Sequence, residues 1–293
     1  MSTPTPKKFL LREQEKSTSA IEQEDSMSAV PQADSSKPEA VLLRADRDAV
    51  ATLTLNRPAQ MNLLTSEMLG ALQATLDAIA SDEQIRVVVI AGAGKGFCAG
   101  HDLKEIRALG TQEKIVGLFE ACSRMMMSIQ RLPQPVIARV HGAAAAAGCQ
   151  LVAQCDLAVA STASKFTTPG VSWGFFCSTP GVAVGRNLLR KHAMEMLLTG
   201  DVIGPQQALE WGLVNRVVPE AELDAEILRL ARQIADKPRS TVAAGKRAFY
   251  QQMDLGVAPA YELATGVIAS SFAHTEGQEG MSAFIEKRPP RWK

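Results

Sequence analysis

The sequence predicts an α/β fold followed by a helical C-terminal region. Three observations carry this. Short apolar runs and helix-period stretches alternate from Val41 to about residue 180. Most of those runs are apolar throughout, as strands covered on both faces require. After Pro180 the pattern is almost wholly helical.

The elements follow in order. VLLRAD (41–46) and AVATLTL (49–55), parted by Arg47 and Asp48, read as a hairpin. Ser66 to Ala80 has helical period. RVVVIAG (86–92) is a buried strand ending in a glycine-rich turn, and a long helix is expected over 112–131. PVIARV (135–140) and DLAVAS (156–161) are further buried strands, and the alanine-rich stretch 143–154 between them reads as a crossover helix. HAMEMLLTG, PQQALEWG, AELDAEILRLARQIA and the segments from Ser240 to Ile285 complete the helical part.

Residues 1–40 differ from this pattern: polar, without period, and with five basic against seven acidic residues, they read as a disordered N-terminal extension. Lys7, Lys8, Arg12 and Lys16 around Phe9–Leu11 suggest a mitochondrial presequence, but Glu13 and Glu15 are atypical of one. The expected location is the cytoplasm for a bacterial source, with the mitochondrial matrix open for a eukaryotic one. The whole chain of 293 residues has 31 basic and 31 acidic side chains, which argues against polyanion binding through phosphate neutralisation and so against nucleic acid. No apolar run approaches the length of a spanning helix, so membrane insertion is not expected. Five cysteines (98, 122, 149, 155, 177), with no pair or Cys/His cluster at zinc spacing, predict neither a disulfide framework nor a metal site.

Three local patterns compete as the functional site. Gly92-Ala93-Gly94-Lys95-Gly96 fits neither nucleotide-binding glycine spacing and reads as a simple turn. Gly170-Val171-Ser172-Trp173-Gly174 matches a nucleophile elbow in letters, with His192 and His274 downstream as bases, but its Pro-flanked context suits a loop; a serine hydrolase using Ser172 is the remote alternative. The third pattern is a pair of turns, KGFCAGHDLKE (95–105) and HGAAAAAGCQ (141–150), each placing small residues where a strand passes into a helix. Bare amide groups at two such turns form an oxyanion hole if they converge; otherwise small residues simply permit tight helix-on-sheet packing. The residues alone leave both readings open.

Together with LNRPAQMNLLTSEM (55–68), LLTGDVIGPQQALEWGLVNRVVP (197–219) and EGQEGMSAFIEKRPPRW (276–292), these two turns resemble the signature blocks of the enoyl-CoA hydratase/isomerase, or crotonase, family over residues 41–292. The resemblance implies a ClpP-like spiral of ββα units over 41–235 and a helical oligomerisation region over 236–293, assembling as trimers or dimers of trimers. It implies acyl-CoA thioester substrates, no separate cofactor because coenzyme A is part of the substrate, and an oxyanion hole formed by the amides of His101 and Ala147. By position it puts Met61, Leu63, Ala99, Gly100, His101, Asp102, Leu103, Lys104, Gly148 and Lys287 around the substrate. Family hydratases carry glutamates where this chain has Gln150 and Gly170, neither able to act as general acid or base. Two function classes follow: an acyl-CoA-processing enzyme that does not use the two-glutamate hydration, or a non-catalytic acyl-CoA-binding regulator of lipid metabolism. For Asp102 a helix cap is the competing role, and for Cys149 and Cys177 that of small buried hydrophobes.

Overall fold

A computed structural model describes residues 39–292. The expectation for residues 1–40 therefore lies almost entirely outside the described residues.

Strands β1 (Leu42–Arg47) and β2 (Val50–Leu55) form the expected hairpin. Asp48 and Ala49 both take positive φ, 52° and 62°, the mirror-image turn that matches strand twist. From β2 the main sheet continues in parallel through β3 (Val87–Gly92), β4 (Val136–Val140), β6 (Leu157–Ser161) and β8 (Arg216–Val218), in the order β1-β2-β3-β4-β6-β8.

Helices α1 (Ser66–Ala80) and α3 (Gln112–Arg131) have the expected bounds. A short α2 (Leu103–Leu109) between them was not read from the sequence. Both sheet faces are covered, which is why the strands are apolar throughout. Val88 and Ile90 of β3 join Leu72, Leu76, Met125 and Ile129 from α1 and α3. Val87 and Val89, on the opposite face, meet Leu223, Ile227 and Leu230 of α8 (Leu223–Ala235).

The alanine-rich stretch is not one helix. Ala143–Ala145 is strand β5, and only Ala147–Gln154 is helix α4. β5 pairs in parallel with β7 (Lys165–Thr167), and Cys98 bridges to Ala144 beside it, so a second small sheet forms where the chain leaves the main one. Alanine has weak strand preference, and this strand exists because its neighbours supply the ladder. The helical expectation after Pro180 also needs correction: β8 lies among α5 (Ser178–Asn187), α6 (Arg190–Thr199), α7 (Pro205–Glu210) and α8, held by pairing with β6.

The chain ends in α9 (Arg239–Met253), α10 (Val257–Ala273) and α11 (Thr275–Ile285). Ala283 is the one fully buried residue among these helices. They expose Phe249, Met253, Tyr261, Phe272, Phe284 and Ile285. What ties α9 to the core is polar: Lys246 donates to the carbonyls of Ile129 (2.8 Å) and Gln134 (2.9 Å) and to Asp156 (2.6 Å). Asp156 also accepts from Tyr250 Oη at 2.8 Å and from Val136 N at 2.7 Å.

Candidate active site

The two turns singled out in the sequence are laced together. Phe97 and Cys98 donate to Ala143 O (3.0 and 3.1 Å), and Ala145 N returns a bond to Cys98 O (2.9 Å). A third segment joins them. Ala99 N donates to Met61 O (2.9 Å), Leu64 N to Gly100 O (2.8 Å), and His101 Nδ1 to Leu64 O (3.0 Å). The residues preceding α1 thus hold the first turn in place.

Gly100 has φ +94°, and a β-carbon there would stand 3.1 Å from Ala147 N and 3.0 Å from Ala145 O. The bareness of Gly100 therefore opens the space in front of the Ala147 amide. That amide belongs to the first turn of α4 and has no intrahelical acceptor, as helix geometry requires. No acceptor in the described chain takes the amide of His101, one residue after Gly100. The turn residue before Ala147 is strained: Ala146 has φ 49° and ψ −117°, a region that disfavours side chains. Gly148 packs against the Cys98 carbonyl.

The other expected residues fall in different places. Asp102 caps α2 through its carboxylate, which accepts from Lys104 N at 2.8 Å; helix capping is the role this contact shows. Leu103 is exposed and Leu63 half-buried. Glu105, from α2, accepts from Ser66 N at the start of α1. Gln150 sits on α4 at 4% exposure, and its Oε1 has no partner in the described chain. Lys287 follows α11 with φ 55°, and no contact brings it to the two turns.

Gly170 lies in the 3-10 helix Pro169–Trp173 that follows β7. A β-carbon there would meet Phe175 O at 2.7 Å, Cys177 Sγ at 2.8 Å and Phe175 Cδ2 at 3.0 Å. The loop after Gly174 folds back and fills the volume a longer side chain would need. Cys177 Sγ also accepts from Gly170 N at 3.3 Å. Burial pushes the Cys149 thiol up to about 12 and raises that of Cys177, as expected of small buried hydrophobes and not of nucleophiles. The serine alternative finds no base. His192 stacks on Trp211 at 4.6 Å, His274 caps α11, and no hydrogen bond joins either to Ser172.

Sequence reading missed Asn62. Fully buried, with φ 54°, it donates from Nδ2 to the carbonyls of Ala93 (2.9 Å), Gly96 (2.9 Å) and Phe97 (3.1 Å) and accepts from Arg57 N (3.0 Å). It shapes the glycine-rich turn leading into the His101 segment. An Asn between Met61 and Leu63 just before a helix is the available signal.

Beside the His101 ring lies Phe119 of α3, edge-on with centroids 5.0 Å apart. Phe119 also lines an open cleft of about 540 Å³ along α3 with Ile115, Val116 and Met127. A larger cleft of about 660 Å³, between α9 and α10, is lined by Arg247, Glu262 and His274 and includes neither turn. Among the described residues no cluster of His, Cys, Asp and Glu is placed to hold a metal ion, and no helix is long and apolar enough to cross a membrane.

Comparison with known proteins gives the family and the fold. Residues 45–293 match the model of the enoyl-CoA hydratase/isomerase family. The chain is 46% identical over 245 residues to human mitochondrial enoyl-CoA hydratase domain-containing protein 3, spanning 84% of this chain and 81% of that one. Against the crystal structure of the human domain-containing protein 3 the TM-score is 0.84 at 44% identity, covering 86% of this chain and all (100%) of that one. Against an enoyl-CoA hydratase structure from Mycobacterium smegmatis it is 0.85 at 50% identity, covering 87% and 99%. The crotonase spiral of ββα units is thus the fold of this chain. The chain belongs to the enoyl-CoA hydratase/isomerase family and is similar to its enoyl-CoA hydratase domain-containing protein 3 branch.

Proposed function

We propose that this protein binds acyl-CoA thioesters and polarises the thioester carbonyl between the amides of His101 and Ala147. One observation supports the reading: Gly100, the residue before the unpaired His101 amide, is bare where a β-carbon would stand 3.1 Å from the unpaired Ala147 N. Negative charge that gathers on a thioester oxygen during enolate formation or addition is stabilised by such fixed donors, each worth about 3 kcal/mol when lost. The acyl chain follows the open α3 cleft past Phe119, along Ile115, Val116 and Met127, and coenzyme A enters as part of the substrate.

Two-carboxylate hydration is not the chemistry of this site. Gln150 cannot transfer a proton, and the filled volume at Gly170 admits no carboxylate. The exposed apolar side chains of α9–α11 favour self-association as a trimer or dimer of trimers. The names of the mitochondrial relatives support the mitochondrial matrix for a eukaryotic source; for a bacterial source the cytoplasm is the reading.

The test is infrared spectroscopy of butyryl-CoA labelled with carbon-13 at the thioester carbonyl. The bound band is expected below its position in water, and Gly100→Ala, which places a methyl group before the Ala147 amide, is expected to abolish the shift. An unshifted carbonyl in the wild-type complex would falsify the reading. In parallel, crotonyl-CoA is expected to hydrate very slowly; turnover like that of an ordinary hydratase overturns the exclusion of carboxylate chemistry.

A further inference from the structure

Helix α6 (Arg190–Thr199) packs one side on the core through Ala193, Met196 and Leu197. Its other side is exposed and ordered by charge. Arg190 and Lys191 open the helix, Met194 stands at 41% exposure in the middle, and Glu195 and Leu198 follow, the leucine at 56%. Leu189, just before the helix, is 71% exposed. A single exposed apolar side chain is ordinary on any surface, whereas three together among charges mark a contact face.

The charges do not suit an isolated helix. Cations in a first turn oppose the helix dipole, and α6 has neither an acidic residue there nor a side-chain cap. Lys191 four places before Glu195 is the weaker order for a pair along a helix. Among the described residues, Arg190, Lys191 and Glu195 enter no ion pair.

The same order is self-complementary. A twofold axis level with Ala193, laying α6 antiparallel on a second copy, sets Lys191 against the partner's Glu195 and Leu189 against the partner's Leu198. The two copies of Met194 then meet beside the axis, and the positive start of each helix lies along the negative end of the other. A partner of one charge sign, such as an anionic lipid surface, fits the basic end of this face and is repelled at Glu195; a second copy fits both ends. We propose that α6 is a twofold contact between copies of this chain, with Leu189, Met194 and Leu198 as its apolar centre and a Lys191–Glu195 pair on either side. The contact is separate from α9–α11, so it doubles whatever unit those helices build, and it is independent of the thioester reading.

Sedimentation equilibrium of the full chain tests this. The wild type is expected to weigh an even multiple of one chain. Arg190→Glu with Lys191→Glu makes the face wholly acidic and Glu195→Lys makes it wholly basic, so each variant alone sets like charges together and is expected to show half the wild-type mass. An equal mixture of the two is expected to restore that mass, because the acidic face of one fits the basic face of the other. The mass each variant keeps by itself reports association through α9–α11 alone. Leu189→Ser, also expected to halve the mass, carries the test if a charge variant does not fold. A wild type of odd multiple, variants that keep the wild-type mass, or a mixture that stays at half of it overturns the proposal; the last outcome gives the face to a different partner.

Discussion

The Lys246 cluster and the paired turns are both buried and polar, yet they obey opposite rules. At Lys246 and Asp156 the hydrogen-bonding capacity is used. The three ammonium hydrogens meet Ile129 O, Gln134 O and Asp156, while Asp156 also takes bonds from Tyr250 and Val136. At the turns, two amide hydrogens and two side-chain acceptors have no partner in the described chain. Full pairing fixes a C-terminal helix that has almost no buried side chains of its own, and incomplete pairing leaves donors and acceptors free at the turns. The difference teaches where this protein stores stability and where it gives some up.

The largest effect that tests this comparison comes from the first cluster. Lys246→Met leaves Asp156 buried without its cation, and removing one partner of a buried pair costs about 3–5 kcal/mol. Burial already lowers the Lys246 pKa while the charge of Asp156 raises it, so the ammonium depends on that partner. In urea unfolding the variant is expected to lose stability on that scale. Hydrogen exchange is expected to rise in α9 before the main sheet. A loss below about 1 kcal/mol means the cluster is no more than a surface-like ion pair, and the contrast fails.

The two regions were not equally legible in the sequence. The hairpin, the doubly covered strands and α1 and α3 could be read because apolar period reports burial directly. The turns could be located because small residues at a strand-to-helix junction are a local signal. Lys246 and Asp156 stand 90 positions apart, and no local pattern connects them. The same limit hid the β5–β7 sheet, whose first strand is three alanines stabilised by its neighbours. It also hid the packing at Gly170: only the fold shows Phe175 and Cys177 closing over the glycine. Ala146 gave no warning either, since alanine is the last residue a positive φ suggests.

A smaller effect is expected at Ala146. Its φ of 49° with ψ −117° stores roughly 1–3 kcal/mol of strain, and glycine adopts this conformation freely. Ala146→Gly gives back part of the gain through the freer unfolded chain, about 0.4–1 kcal/mol. A net stabilisation of about 1 kcal/mol is therefore expected in thermal or urea unfolding. The Ala146 N–H bond to Thr167 O at 2.9 Å is expected to hold the turn in place, leaving thioester affinity unchanged. If the variant is less stable than the wild type, the strain at the turn is not real, and the site gives up stability only through its unpaired groups.

The smallest effect follows from protonation of His101. Burial is the largest influence on its ring and lowers the pKa from the ordinary 6.5, outweighing the Leu64 carbonyl and the distant Glu105 charge, which raise it. The unfolded chain therefore binds a proton more readily than the folded one. Stability from this group is fully present above pH 6.5 and is lost as pH falls from there through the folded-state pKa, with a slope of at most about 1.4 kcal/mol per pH unit. His101→Phe removes the titration and is expected to flatten the stability curve below pH 6.5. Lys246→Met leaves the His101 ring untouched, so it is expected to lower the curve and leave that slope below pH 6.5 intact. If the slope persists in His101→Phe, the buried neutral imidazole is not its source, and the separation between a fully paired anchor and a sparsely paired site loses its pH signature.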